Sequence, residues 1–280
     1  MPGVQIVCDS TADLEPPFRD AHGVRVVPLK VIFGEQVLED GVSVLPDELY
    51  RRMRAGEKAR TSQPTPAEFE AAYRSVPVGT AIVCTTISAD LSGTFASAEQ
   101  ARAAVPDREI TVVDTRTAAV GHNAVVHAAV AAAEATGLAD AVLKAVRTVM
   151  ASQRLLFTVE TLEYLRRGGR IGAARALVGS MLDIKPILEV KDGVIEPVDR
   201  VRTFNRALDR IFATAGEAVA AWGGGVITVG QAGRPDLTAD LVRRATAAAP
   251  KAEVRPVEVG PVIGVHGGPG AVGLSFHPPL

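Results

Sequence analysis

The sequence predicts an α/β fold. An N-terminal, mainly parallel sheet flanked by helices occupies residues 1–150, and an α+β domain with a mixed or antiparallel sheet occupies 151–280. Two observations predict it. In the first half, short β-branched apolar runs alternate with longer stretches of strong helix formers, the pattern of a parallel sheet covered on both faces. After about residue 150 a hairpin signal and closely spaced strands break that alternation. A chain of 280 residues has room for two medium domains.

Taken in order, "VQIVCD" (4–9), "VRVVPLKVIF" (24–33), "AIVCTT" (81–86) and "EITVVDT" (109–115) read as strands bounded by turn residues. Around them, "PDELYRRMRAG", "PAEFEAAYRSV", "SGTFASAEQARAAV" and "TAAVGHNAVVHAAVAAAEATG" read as helices, with capping residues ahead and Gly or Pro near their ends. In the second half "RLLFTV" (154–159) is a strand and Thr161–Arg167 a short helix. "DIKPILEVKDGVIEPVDRV" reads as two strands turning at Lys191-Asp192-Gly193. Phe204, Leu208, Ile211, Phe212, Ala215 and Val219 make one helical stripe. "GGGVITVGQA", "AEVRPVEVG" and "AVGLSF" supply further strands, and "DLTADLVRRATAAA" one more helix.

Composition narrows the function classes. The chain is 47% apolar, 22% charged and 4% aromatic, with a formal net charge of −2. Scarce aromatics argue against a single-strand stacking platform, and the balanced charge supplies no field for a phosphate backbone, so no nucleic-acid partner is expected. Cys8 and Cys84 each sit inside an apolar run and read as buried thiols, not a disulfide framework. His122 and His127 are five apart, off the helical metal-pair spacing, and no metal site is expected. With no basic leader and no apolar run long enough to span a bilayer, the chain is expected to be cytoplasmic.

The chemistry-bearing stretches are loops at strand ends. Asp9-Ser10-Thr11 ends the first strand, where open parallel sheets bind ligands. An aspartyl nucleophile there would make a metal-dependent phosphoryl-transfer or hydrolytic enzyme, but Thr11 occupies the place of the second carboxylate. Helix capping is the competing role. In "RTSQPTP" (60–66), Pro64 and Pro66 keep Thr61, Ser62 and Gln63 extended, and Thr65, Pro66 and Glu68 form a capping box. The hydroxyls of Thr61 and Ser62 are then spare. In "SADLSGTFASA" (88–98), Ser92 caps a helix while Gly93 and Thr94 offer free N–H groups at its positive end, an anion site without a lysine. Gly93 would also let a ligand approach the backbone. His266 stands in a glycine-rich loop as a hydrogen-bond donor for an anion. The formal GxGxxG at Gly268–Gly273 has too little chain after it for a dinucleotide fold. Arg166, Arg167 and Arg170 bracket Gly168-Gly169, a basic turn suited to carboxylates or phosphates. No nucleophile–base–orienter set is apparent, which favours a carrier over an enzyme.

Together, "IVCDSTADL", "TSQPTPAEF", "TTISADLSGTFASA", "VVDTRTAAVG", "LEYLRRGGRIG", "DIKPILEVKDGVI", "RVRTFNRAL" and "PVIGVHGGPGAVGL" resemble the DegV family over nearly the whole chain. The resemblance implies a two-domain, non-catalytic protein that binds one long-chain fatty acid and needs no cofactor. In bacteria such proteins serve as the B subunit of fatty-acid kinase, presenting the carboxylate to an ATP-dependent subunit that makes acyl phosphate. Carried over by motif, Thr61 and Ser92, with Gly93 and Thr94 of the same turn, and His266 hold the carboxylate. Arg170 and Arg202 engage the kinase subunit. Any membrane contact is transient, with no integral association. The acyl chain is expected to run into the second domain, among Leu, Ile, Val, Met and Phe of 155–190 and 204–219. Two positions depart from the family pattern: Gly267 after the histidine, and Asp183 before "IKPIL".

Overall fold

The computed structural model describes residues 3–180 and 184–280. Strand β1 (Val4–Asp9) leads through a 3-10 turn to helix α1 (Pro16–Ala21), β2 (Arg25–Val27), β3 (Lys30–Phe33) and β4 (Gln36–Glu39). Then come α2 (Pro46–Arg54), β5 (Ala59–Ser62), α3 (Pro66–Arg74), β6 (Ala81–Thr86), α4 (Thr94–Ala104) and β7 (Ile110–Asp114). Helices α5 (Ala119–Thr136) and α6 (Ala139–Ser152) lead to β8 (Arg154–Thr158), α7 (Glu163–Arg167), β9 (Lys185–Lys191) and β10 (Val194–Val201). The chain closes with α8 (Phe204–Trp222), β11 (Gly225–Gln231), α9 (Thr238–Ala248), β12 (Ala252–Glu258), α10 (Pro261–Gly267) and β13 (Val272–His277).

These elements form the predicted α/β arrangement, with three sheets. The parallel sheet runs β2-β1-β6-β7, the mixed sheet β10-β9-β8-β13-β11-β12, and a small antiparallel sheet β4-β3-β5. In the mixed sheet only β11 and β12 pair in parallel. The expected single strand over 24–33 is two strands in two sheets. Pro28 offers no N–H, and the next donor, Leu29 N, goes to Ser10 Oγ at 3.0 Å, so the ladder breaks there. Strands β4 and β5 and helices α6 and α10 were not anticipated. In particular the extended Thr61–Ser62 pair belongs to β5, in register with β3.

Both faces of the parallel sheet are covered. Val4, Ile6, Cys8 and Val83 pack under α5 and α6, while Val7, Ile82 and Cys84 pack against Phe69, Tyr73 and Ala98. The two buried thiols thus lie on opposite faces. The stripe of α8 packs with α9 on one face of the mixed sheet, against Leu156, Ile187, Leu274 and Phe276. The other face of that sheet meets α5, which wedges between the two sheets. Further contacts tie the halves together. Val259, Val262 and Val265 pack on Leu29, Val31, Leu49 and Tyr50, and Tyr50 Oη donates to the Val259 carbonyl at 2.8 Å. At the tip of the β9–β10 hairpin, Asp192 (φ 48°) and Gly193 (φ 86°) form the turn. Ser88 Oγ donates to the Gly193 carbonyl at 2.8 Å, and Arg116 Nη2 donates to the Asp192 carbonyl.

Candidate functional site

A cavity of about 270 Å³ lies between the parallel and mixed sheets. That is nearly twice the roughly 150 Å³ apolar void that accommodates a benzene. Its polar end is built from three separate stretches: Thr61 on β5, Ser92 ahead of α4, and His266 in the last turn of α10 all line it. Thr61 Oγ1 and His266 Nε2 are 2.8 Å apart.

Helix α10 places the histidine. Pro261 at its first position suits a helix start, Val262 N donates to Asp40 Oδ1 at 3.3 Å, and Gly268 (φ 80°) ends it. His266 was expected in a loop; the glycines around it masked the helix, although Gly260-Pro261 was a readable start signal. Burial, and then the positive charge of Arg170, lower the His266 pKa to about 4, so the ring is neutral at pH 7. Nδ1 is buried without a partner and packs against Gly168, where a Cβ would lie 2.2 Å from it. With no acceptor at Nδ1, the single ring proton belongs on Nε2 and is donated to Thr61 Oγ1. The Thr61 hydroxyl proton is then free to point into the cavity.

Ser92 serves the start of α4 from one residue further out than its position suggests. Gly93, not Ser92, is the N-cap of α4, with no side-chain cap bond. Ser92 Oγ pairs with Thr94 Oγ1 at 2.8 Å and also accepts from Thr94 N, the first amide of α4, at 3.4 Å. Thr94 is fully buried, and neither it nor Gly93 lines the cavity, so both support Ser92 from behind. The Gln63 amide crosses Gly93, where a Cβ would lie 2.3 Å from Gln63 Oε1. Gln63 Nε2 also donates to Ser97 Oγ at 3.2 Å, which ties the Thr61 segment to the Ser92 turn.

Arg170 lies at the rim of the cavity and is exposed. Its Nε donates to the Leu91 carbonyl at 2.9 Å and its Nη1 to the Gly168 carbonyl at 2.7 Å. Arg202 is exposed between β10 and α8, away from the cavity wall. Gly267 lines the cavity with room beside it; a Cβ there would meet only Ala271 at 3.4 Å. Asp183, Met181 and Leu182 lie outside the described residues.

Beyond the polar end the wall is aliphatic and comes from both halves. Leu29, Ile87, Leu91 and Ala118–Val120 face Leu155, Phe157, Leu165, Val190, Ile195, Val262, Ile263 and Val272. Of the expected lining, Leu155, Phe157, Leu165 and Val190 take part, whereas no residue of 204–219 does. The α8 stripe is core on the far face of the mixed sheet, because helical periodicity marks a buried face without saying what it is buried against. Arg116 and Ala119 hold φ of 51° and 48°, an uncommon conformation for non-glycine residues that turns Ala118–Val120 onto the wall.

Asp9 is engaged in structural hydrogen bonds. It is fully buried; Oδ1 accepts from Thr11 N at 2.9 Å and Thr11 Oγ1 at 2.6 Å, and Oδ2 from Ile87 N at 2.7 Å. Those bonds cap the 3-10 turn Ser10–Ala12 and anchor the β6 loop. Among the described residues, no group of three or more His, Cys, Asp or Glu is placed to hold a metal ion. Nor is any helix long and apolar enough to cross a membrane.

The chain matches, over residues 3–278, the model of the family described as "Uncharacterised protein, DegV family". It is 39% identical to a DegV domain-containing protein of Streptomyces coelicolor, over 97% of each chain. Among solved structures, it resembles a fatty-acid-binding DegV family protein from Thermus thermophilus, at 33% identity and a TM-score of 0.92 over 99% of each chain. A stearic acid-binding protein from Eubacterium ventriosum matches at 30% identity and a TM-score of 0.92 over 98% of each chain.

Proposed function

The chain belongs to the DegV family, and from that premise we propose that it is a cytoplasmic carrier of one long-chain fatty acid, which it presents to an ATP-dependent kinase subunit for conversion to acyl phosphate. The observation that carries the reading is the Thr61–His266 pair, with Ser92, at one end of an otherwise aliphatic cavity. A single carboxylate is satisfied by neutral donors; a triphosphate would call for lysine and metal. The acyl tail supplies affinity, at about 0.8 kcal/mol per buried methylene, and the hydroxyls set which end faces the rim. The fatty-acid-binding relatives from Thermus thermophilus and Eubacterium ventriosum support the ligand class.

In this reading residues 1–150 and 151–280 act as two domains that clamp the ligand, and the chain performs no chemistry alone. Arg170 at the rim and the exposed Arg202 meet the kinase subunit, with Arg170 reporting on the Ser92 turn through the Leu91 carbonyl. Native mass spectrometry of protein purified from cells tests the first half; an added mass of one long-chain acid is expected. Protein that is always empty and takes up no fatty acid sinks the reading. The second half is tested by adding a fatty-acid kinase catalytic subunit and ATP to the loaded protein. Acyl phosphate should form with both chains present and with neither alone, and less with Arg170→Ala.

A further inference from the structure

A second cleft of about 500 Å³ lies beside the cavity, lined by Arg116, Gln153, Arg154, Glu189, Lys191 and Asp192 among others. Among the described residues, Leu155 and Val190 alone line both spaces. They face each other in register across β8 and β9, so their side chains stand on one face of the sheet, about 5 Å apart. Their place along the cavity follows from β13. Ala271, Val272 and Gly273 line the cavity, Ser275 does not, and Leu155 stands opposite Ser275. The pair is thus one pleat beyond the last lining residue of β13. Past it the cleft is lined by polar groups, Arg116, Gln153 and Asp192 among them.

We propose that the Leu155–Val190 pair is the stop that sets the longest acyl chain the protein accepts. The proposal rests on the fatty-acid reading above. A chain that reached the pair would have to displace it to grow, and its next carbons would enter a polar cleft where burial gains little. Removing the Leu155 side chain beyond Cβ vacates space for about two further methylenes, each worth about fourfold in affinity.

The test uses the full-length, delipidated protein and saturated acids from dodecanoic to docosanoic, ranked by competition. Leu155→Ala and Val190→Ala should each move the preferred length upward. In Leu155→Ala, affinity for an acid two carbons beyond the wild-type optimum should rise about fifteenfold relative to the optimum itself. Leu155→Phe should move the preference to shorter acids. Val190 is only partly buried, so Val190→Ala decides the matter if Leu155→Ala does not fold. An unchanged length profile in a folded variant overturns the proposal. Wild-type protein that binds no acid of any length overturns instead the reading on which it rests.

Discussion

Gly273 allows the cavity to be filled without disturbing the fold. It lies on β13, opposite Phe157 on one side and Gly230 on the other, and it lines the cavity. A Cβ built there would lie 3.6 Å from Phe157 Cβ, 3.6 Å from Val120 Cγ2 and 3.9 Å from Leu155 Cδ1, all ordinary contacts. Gly273→Ala should therefore fold and gain about 0.5–1 kcal/mol from a stiffer strand. Gly273→Val adds two methyl groups beyond that Cβ and takes the place of about two methylenes of ligand. At about 0.8 kcal/mol each, the loss is roughly 1.6 kcal/mol, or about fifteenfold in affinity. Calorimetric titration of the delipidated variants with palmitate measures the second effect, and thermal melts of the empty proteins the first. A folded Gly273→Val that binds with wild-type affinity would refute the placement of the acyl chain.

Further outcomes follow from neighbouring residues. Thr61→Val keeps the shape but removes the hydroxyl aimed at the carboxylate; a hydrogen bond to a charged group is worth about 1.5–3 kcal/mol, so affinity should fall at least about tenfold. The His266 Nε2 proton loses its acceptor as well, so the empty protein should melt at a lower temperature, by the equivalent of about 1–3 kcal/mol. Gly230→Ala is the counterpart of Gly273→Ala and should destabilise by about 1–3 kcal/mol, since its Cβ would lie 2.6 Å from Val120 Cγ1; denaturant midpoints compare the two. Asp40 is buried beside Ser10, Asp9 and Asp13, and burial raises its pKa to about 7. Folding therefore favours its protonated form, and that contribution is full at low pH and declines as pH rises from about 4 to about 7. Asp40→Asn should flatten this decline in urea midpoints measured across the range; parallel curves for the two proteins would contradict it.

The sequence carried different parts of this architecture with different clarity. The strands of the parallel sheet were legible because each is a β-branched run fenced by turn residues, and the α3 capping box at Thr65 and Glu68 was readable to the residue. Pro28 was read through as part of one strand, since a proline at a strand edge does not say that its two sides belong to different sheets. At the site, Thr61 stood out as a spare hydroxyl, Ser92 as a helix-start residue beside free N–H groups and His266 as a polar group among glycines, and the structure brings all three to one cavity. The roles of Gly93 and Gly168 were not legible. Each is crossed by a side chain distant in sequence, Gln63 or His266. The aliphatic wall was equally hidden, because Val262 and Ile263 look like any core residues until α10 is docked on α2.

The joint at the end of the β9–β10 hairpin distributes its demands unevenly. Ser88 and Arg116 grip two backbone carbonyls, so they sense the course of the turn and ignore the side chain at position 192. Position 193 has no such freedom, because even a methyl group there would come within 2.6 Å of Ser88 Oγ. One partner must keep its chemical identity and the other only its contour. The alignment of the two halves therefore tolerates exchange at Asp192 among residues that accept its left-handed backbone, but none at Gly193, Ser88 or Arg116.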